Sequence, residues 1–122
     1  MNITIHTDGF EGFMARSRER AKKMDRGERI KPSRGITFES PAQMFELLTV
    51  ERVRVVEMAR TRPYSVTELA KALKRDPRSV RRDVRKLMEF GVVRTREAIN
   101  PGHGRVKIVE PVAKTFELRA RF

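Results

Sequence analysis

The clearest hydrophobic pattern lies in the middle of the chain, where two adjacent segments carry apolar residues at helical spacing. The apolar residues of the first segment are Val66, Leu69, Ala70 and Leu73. Ser65 and Glu68 have the spacing of a capping box, in which each side chain accepts a hydrogen bond from the backbone N–H group of the other. This pattern predicts a short helix that ends at a turn over Lys74 and Arg75.

A second helix is predicted from Pro77 to Phe90. Asp76 is a favourable N-cap, and Pro77 suits the first helical position because its missing N–H group is not needed there. Gly91 stands where a left-handed C-terminal cap is expected. One face of this helix carries its apolar residues, Val80, Val84, Leu87 and Met88.

The opposite face of the second helix is densely charged. It carries Arg78, Arg82, Arg85 and Glu89, flanked by Ser79, Arg81 and Lys86. A solvated face normally mixes charges of opposite sign four residues apart, but Arg78–Arg82 and Arg81–Arg85 place like charges at that spacing. Such repulsion is readily offset by a polyanion. The pattern therefore favours DNA over a face that is merely solvated.

With these two helices, the chain resembles winged helix-turn-helix transcriptional regulators of the broad kind that includes the MarR and ArsR groups. More narrowly, it is similar to a family of small archaeal and bacterial DNA-binding proteins, some of which act as antitoxins. The resemblance rests on Leu47–Arg52, Ser65–Ala70, Arg75–Val84 and Leu87–Val93. It implies that DNA is bound through the second helix, at Arg78, Ser79, Arg81, Arg82 and Arg85. The loop from Asn100 to Gly104 departs from the family pattern and leaves the wing length open.

Two strand-like runs follow the second helix, Val92–Ile99 and Arg105–Val109, and they predict a β-hairpin. The turn formers Asn100–Gly104 separate them. We interpret residues 92–109 as the wing. The candidate DNA contacts added to those of the resemblance are Lys86 on the helix and Arg94, Arg96, Arg105 and Lys107 on the wing. We expect the wing to contact phosphates or the minor groove, and its loop tip to be either a further contact or an ordinary turn.

The composition agrees with a nucleic-acid partner. The 122 residues have a net charge of +12, and twelve Lys or Arg stand against four Asp or Glu between Arg60 and Arg96. No transmembrane run, signal peptide or basic helix with a bulky apolar face indicates a membrane partner. The absence of cysteine excludes disulfides and thiolate metal sites and is compatible with a prokaryotic cytoplasmic protein. We expect a cytoplasmic, nucleoid-associated location.

The N-terminal residues predict a strand at Asn2–Ile5, a helix from Gly9 to Met24 and a strand at Ile36–Glu39. Asp8 is the expected N-cap of the helix, and Gly27 is expected to end it. The residues expected along one face of this helix are Phe10, Phe13, Met14, Ser17, Ala21 and Met24.

Further helices are predicted at residues 41–48, with Ser40 as cap, and at residues 50–60. The alternation of apolar and charged residues near the C-terminus predicts a strand. Its expected inward residues are Phe116, Leu118, Ala120 and Phe122. The predicted fold class is mainly α with a small β component, a winged helix-turn-helix with an N-terminal strand-helix extension and a C-terminal strand. Its domains are the extension, residues 1–39, and the DNA-binding domain, residues 40–122.

The N-terminal extension is expected to pack on the winged domain, on a second subunit or on a different protein, because one amphipathic helix cannot form a core alone. We expect a homodimer, since two-fold helix-turn-helix proteins match two-fold DNA half-sites. The alternative is an antitoxin that neutralises a cognate toxin through this extension and autoregulates its operon. The basic run from Arg16 to Arg34 either contacts the DNA backbone or is a solvated face.

Catalysis has little support in the sequence. His6 and His103 are far apart and lack metal-ligand spacing, and no phosphate-binding glycine loop or nucleophile elbow is present. We expect no enzymatic activity, catalytic residue, metal or cofactor. RNA is less favoured because stacking aromatic residues are scarce. The predicted function is sequence-specific binding of double-stranded DNA by a transcriptional regulator, with helix 77–90 in the major groove and wing 92–109 on the backbone or minor groove.

Overall fold

The computed structural model describes residues 1–30, 34–102 and 104–122. In chain order their elements are β1 (Asn2–His6), α1 (Gly9–Asp25), β2 (Arg34–Thr37), α2 (Pro41–Leu47), α3 (Val50–Thr61), β3 (Tyr64–Ser65), α4 (Val66–Leu73), α5 (Pro77–Glu89), β4 (Val93–Asn100), β5 (Gly104–Pro111) and β6 (Thr115–Arg119). Helices account for 48% and strands for 27% of the described residues. The protein is therefore mixed α/β rather than mainly α with a small β component.

The chain divides into two compact units, one of residues 1–46 with 115–122 and one of residues 47–114. This division differs from the predicted boundary between residues 39 and 40. The C-terminal strand, which the sequence places in the second domain, pairs in parallel with β1 of the first unit, and Ile5 is opposite Leu118. Backbone hydrogen bonds between the first and last strands of the chain thus set the boundary.

The first unit is built on a three-stranded parallel sheet in the order β2-β1-β6. Parallel neighbours cannot be joined by a tight turn, and α1 provides the crossover between β1 and β2. The central strand is buried through Ile3 and Ile5, and Phe38 just beyond β2 is also buried. The sheet therefore depends on its middle strand for its apolar contacts.

Two details of α1 differ from the expectations. The side chain of Asp8 makes no capping hydrogen bond to α1, because its carboxylate accepts one from Arg16 instead. On α1, Phe10 and Phe13 are exposed, so the predicted face remains largely uncovered in the chain. The predictions that this helix meets a second copy of the chain or a toxin stay predictions.

The predicted inward face of the C-terminal strand is covered only at Phe116, which is half-buried. Leu118 is 51% exposed and Phe122 is 97% exposed, so neither faces a core. β6 ends at Arg119, because its pairing with β1 ends at His6. The alternation of apolar and charged residues was therefore a correct indication of the strand and of its more buried face, of which only Phe116 is partly covered.

The second unit packs α3, α4 and α5 with a three-stranded antiparallel sheet in the order β3-β5-β4. Its fully buried side chains include Val55, Leu69, Val80, Leu87, Val92, Val93 and Val109. Burying each aliphatic side chain of this kind stabilises the fold by roughly 1.5–3 kcal/mol. The predicted hairpin is confirmed with slightly shifted ends, whereas the short strand β3, which pairs with β5, was not predicted.

Local capping signals position the helix pair as the sequence indicates. Ser65 and Glu68 form both hydrogen bonds of the capping box, each at 3.2 Å. Lys74 adopts a left-handed conformation with φ of 55° at the end of α4, and the carboxylate of Asp76 accepts a hydrogen bond from the N–H of Arg78 at 2.9 Å. Gly91 follows α5 with φ of 77°, as a left-handed cap requires.

A buried carboxylate joins three segments of this unit. Asp83 of α5 is 8% exposed, and its Oδ1 accepts a hydrogen bond from Nε of Arg52 on α3 at 3.1 Å. Its Oδ2 lies 2.8 Å from Nη2 of Arg75 in the turn, close enough for an ion pair but not aligned as a hydrogen bond. Arg52 also donates to the carbonyl of Leu47 at 3.1 Å. The rotation of α5 is thus tied both to α3 and to the turn before it.

We expect Asp83→Asn to destabilise the second unit by about 3–5 kcal/mol, because it leaves two partly buried arginines without a carboxylate. Urea unfolding followed by circular dichroism measures the loss. The matched control is Glu89→Gln, which removes an exposed carboxylate from the same helix. Equal unfolding midpoints for wild type and Asp83→Asn would show that the ion pairs do not hold the helices.

Candidate nucleic-acid interface

Four arginines project from α5 without a partner in the described part of the chain. Arg78, Arg81, Arg82 and Arg85 are exposed, and their side chains form no hydrogen bond or ion pair with another described residue. The opposite stripe of the helix is held in the core by Val80, Val84 and Leu87, which are at most 3% exposed. Because that stripe fixes the rotation of α5, the guanidinium groups are presented together on one surface.

The other two candidate residues of α5, Ser79 and Lys86, are partly buried or already in contact with neighbouring side chains. Ser79 is partly buried beside this surface. The ammonium of Lys86 lies 3.5 Å from the carboxylate of Glu89 and 5.8 Å from the centre of the Phe90 ring. Met88, which was expected on the apolar face, is 42% exposed at its edge.

The hairpin divides its four basic residues between two faces. Arg94 and Arg96 lie two residues apart on β4 and therefore share one face of the sheet. Arg105 and Lys107 are opposite Ile99 and Glu97 in the register, which places them on the other face. All four basic residues are exposed, so the hairpin presents positive charge on each side.

Glu110 binds both arginines of the first face. Its two carboxylate oxygens accept hydrogen bonds from Nε of Arg94 at 2.9 Å and from Nε of Arg96 at 3.0 Å. The hydrogen bond from Arg94, reinforced by that from Arg96, lowers the pKa of the Glu110 carboxyl against the opposing effect of burial. On the other face, Arg105 lies 3.4 Å from the carboxylate of Glu97. Within the described residues, Lys107 is the hairpin cation that no carboxylate engages.

Neither the loop tip nor a metal site adds a described residue to the candidate interface. The predicted contact at the tip includes His103, which lies outside the described residues. No group of three His, Cys, Asp or Glu that could hold a metal ion occurs in residues 1–30, 34–102 and 104–122. Over the same residues, no helix combines the length and apolar character needed to cross a membrane.

The sequence profile of the HVO_A0114 family matches residues 47–112 of the chain. The chain belongs to the HVO_A0114 family. The matched residues coincide closely with the second unit, residues 47–114, which carries α5 and the hairpin. The family assignment therefore covers the whole candidate interface.

A solved structure of a "possible transcriptional regulator" from Methanosarcina mazei Go1 is similar to this chain, with 26% sequence identity and a TM-score of 0.49. The match covers 58% of this chain and 63% of that one, so this chain spans less than two thirds of that protein's length. No curated protein sequence matches the chain.

Two residues of this HVO_A0114 unit that organise the interface were missed from the sequence. Asp83 falls on the same helical stripe as Val80 and Leu87, and an acidic residue on a buried stripe requires a cationic partner. Glu110 is placed by the hairpin register, in which it lies opposite Arg94. The position of each residue along its helix or strand already carried this information. Its use, however, requires knowing which face of that helix or strand is covered.

We expect the Glu110 carboxyl to titrate below an ordinary glutamate, because protonation would break its hydrogen bonds to Arg94 and Arg96. Its pKa is lower in the folded than in the unfolded chain, so its contribution to stability is present above the unfolded pKa and is lost as the pH falls through the folded pKa. NMR of the carboxyl carbon measures the titration. The variant Arg94→Ala/Arg96→Ala should return the pKa of Glu110 toward its ordinary value. Identical titrations in wild type and in this variant would show that the two arginines do not hold the carboxylate.

Proposed function

We propose that this protein is a sequence-specific, double-stranded DNA-binding transcriptional regulator of the winged helix-turn-helix type. The observation that carries the proposal is the row of four exposed arginines on α5, none of which pairs with another described residue. The order α3, α4, turn and α5, followed by the hairpin β4–β5 packed with β3, supports the winged arrangement. The proposal covers the second unit, to which the family match also belongs.

Charge repulsion along α5 favours a polyanion over water alone. Arg78 and Arg82 are one helical turn apart, as are Arg81 and Arg85, and each such pair slightly destabilises the free helix. Carboxylates that could neutralise them are directed elsewhere, since Asp83 is buried against Arg52 and Arg75. DNA phosphates would supply the missing negative charge, and their release of counterions would add affinity.

In this mechanism α5 enters the major groove, whose width admits an α-helix. Arginine can donate two hydrogen bonds to the O6 and N7 atoms of guanine, and Arg78, Arg81 and Arg82 are the candidates for such contacts, together with the hydroxyl of Ser79. Arg85 and Lys86 lie further along the helix and would contact phosphates. Base contacts would then set specificity, and phosphate contacts would set register and affinity.

The hairpin would contact the backbone or the minor groove beside this helix. Arg94 and Arg96 are already hydrogen-bonded to Glu110, so a phosphate must compete with that carboxylate for them. Arg105 and Lys107 belong to the opposite face, and only one face at a time can lie against a single backbone. Glu110 therefore limits how much the wing adds to non-specific affinity.

We expect Arg82→Ala to weaken binding to a duplex selected by the protein from a random pool by about 1–3 kcal/mol, if Arg82 pairs with a guanine edge. Fluorescence anisotropy at fixed salt measures the dissociation constant. The control is Arg54→Ala, which removes the same charge from an exposed position on α3. Wild-type binding should also fall steeply with salt, with a slope of several units in log K for roughly 6–10 phosphate contacts.

Equal losses for Arg82→Ala and Arg54→Ala would assign the binding to overall charge rather than to α5. Absent or salt-insensitive binding of wild type to every duplex would refute the proposed function itself.

A further inference from the structure

The first unit contains a cavity of about 570 Å³ at the carboxyl ends of its parallel strands. The residues after β1, namely Thr7 and Asp8, line it together with His6 and with Arg119 at the end of β6. His6 and Arg119 are register partners at the point where both strands end. In open sheets flanked by helices, ligands bind in the crevice outside the carboxyl ends of parallel strands.

Positive charge dominates the cavity wall. Three arginines line it, Arg16, Arg119 and Arg121, against one acidic residue, Asp8. Arg16 is held in place because Nη1 donates to Asp8 at 2.6 Å and Nη2 donates to the hydroxyl of Thr37 at 3.0 Å. The side chains of Arg119 and Arg121 form no hydrogen bond or ion pair with any residue that the structure describes. The wall thus has two uncommitted arginines beside one fixed arginine.

The ring of His6 lies in the same positive field. Partial burial and the charges of Arg16 and Arg119 lower the pKa of this histidine, while Asp8 acts in the opposite direction. A neutral imidazole offers one N–H donor and does not require a counter-ion. The ring can therefore contribute a hydrogen bond to a ligand without adding a charge to the wall.

The start of α1 leaves room for the side chain of Asp8, which lines this cavity. A Cβ atom at position 12 would lie 2.0 Å from Cγ of Asp8, so Gly12 leaves the room that the carboxylate occupies as it reaches Arg16. Asp8 consequently makes no capping hydrogen bond to the first turn of α1.

We propose that this cavity binds a phosphorylated small molecule of about nucleotide size, whose phosphate is held by Arg119 and Arg121 beside the fixed Arg16. Guanidinium groups match phosphate oxygens with paired, charge-assisted hydrogen bonds. The volume exceeds what a phosphate needs and falls within the range of roughly 300–1,000 Å³ typical of small-molecule sites. This size favours a small molecule.

The test is isothermal titration calorimetry of the full chain with adenosine 5′-monophosphate, guanosine 5′-monophosphate, glucose 6-phosphate and inorganic phosphate, with adenosine as the uncharged comparison. At least one phosphorylated probe should bind measurably where adenosine does not. The variant Arg119→Gln/Arg121→Gln should weaken binding of that probe about tenfold or more, since it removes the charge-assisted hydrogen bonds to the phosphate. Amide NMR shifts of Thr7 and Arg119 should change on addition of the same probe.

The matched control is Arg82→Gln/Arg85→Gln, which removes two exposed arginines from α5 and leaves the cavity intact. The inference is overturned if no phosphorylated probe binds more tightly than adenosine, or if the two double variants weaken the probe equally. It is also overturned if Arg119→Gln/Arg121→Gln lowers only the affinity for duplex DNA, which would assign these arginines to the backbone. Because the probe titration contains no DNA, its outcome is separate from that of the proposed function.

Discussion

The carboxylate of Asp83 is the point on which the second unit depends. It is nearly buried and contacts Arg52 of α3 and Arg75 of the turn, so three segments meet at one charge. A buried charge is tolerated only with partners, which means that α5 cannot rotate without losing both. The fixed rotation places the apolar stripe inward and leaves the arginines of α5 outward. A structural ion pair thereby determines the chemistry of the surface.

The two units concentrate positive charge in different ways. In the second unit the exposed arginines of α5 lie on a convex helix, and the proposed occupant is a DNA groove. In the first unit Arg119 and Arg121 line a cavity beside Arg16, and the proposed occupant is a small phosphorylated molecule. Where a carboxylate is present, as Glu110 is beside Arg94 and Arg96, it reduces the charge available to either kind of partner.

The sequence was most informative where the interaction is local. Ser65 with Glu68 and Asp76 with Pro77 act over three residues or fewer, and they predicted both helices of the pair. Interactions between distant residues have no such local signal. The pairing of β6 with β1 joins the two ends of the chain, and the capping role expected for Asp8 was lost to Arg16, two turns along α1. The candidate residues on α5 and the hairpin were found by charge and spacing, whereas the position of Glu110 beside Arg94 and Arg96 required the hairpin register.

The most direct test of the central claim, that α5 lies in the major groove, uses the absence of cysteine from the chain. A chelated iron attached to Ser79→Cys would cleave DNA close to the surface of α5, and the same reagent on Glu57→Cys of α3 is the comparison. We predict cleavage from position 79 within the protected site, centred on the edges of the major groove, and little cleavage from position 57. Cleavage from position 57 with none from position 79 would contradict the account.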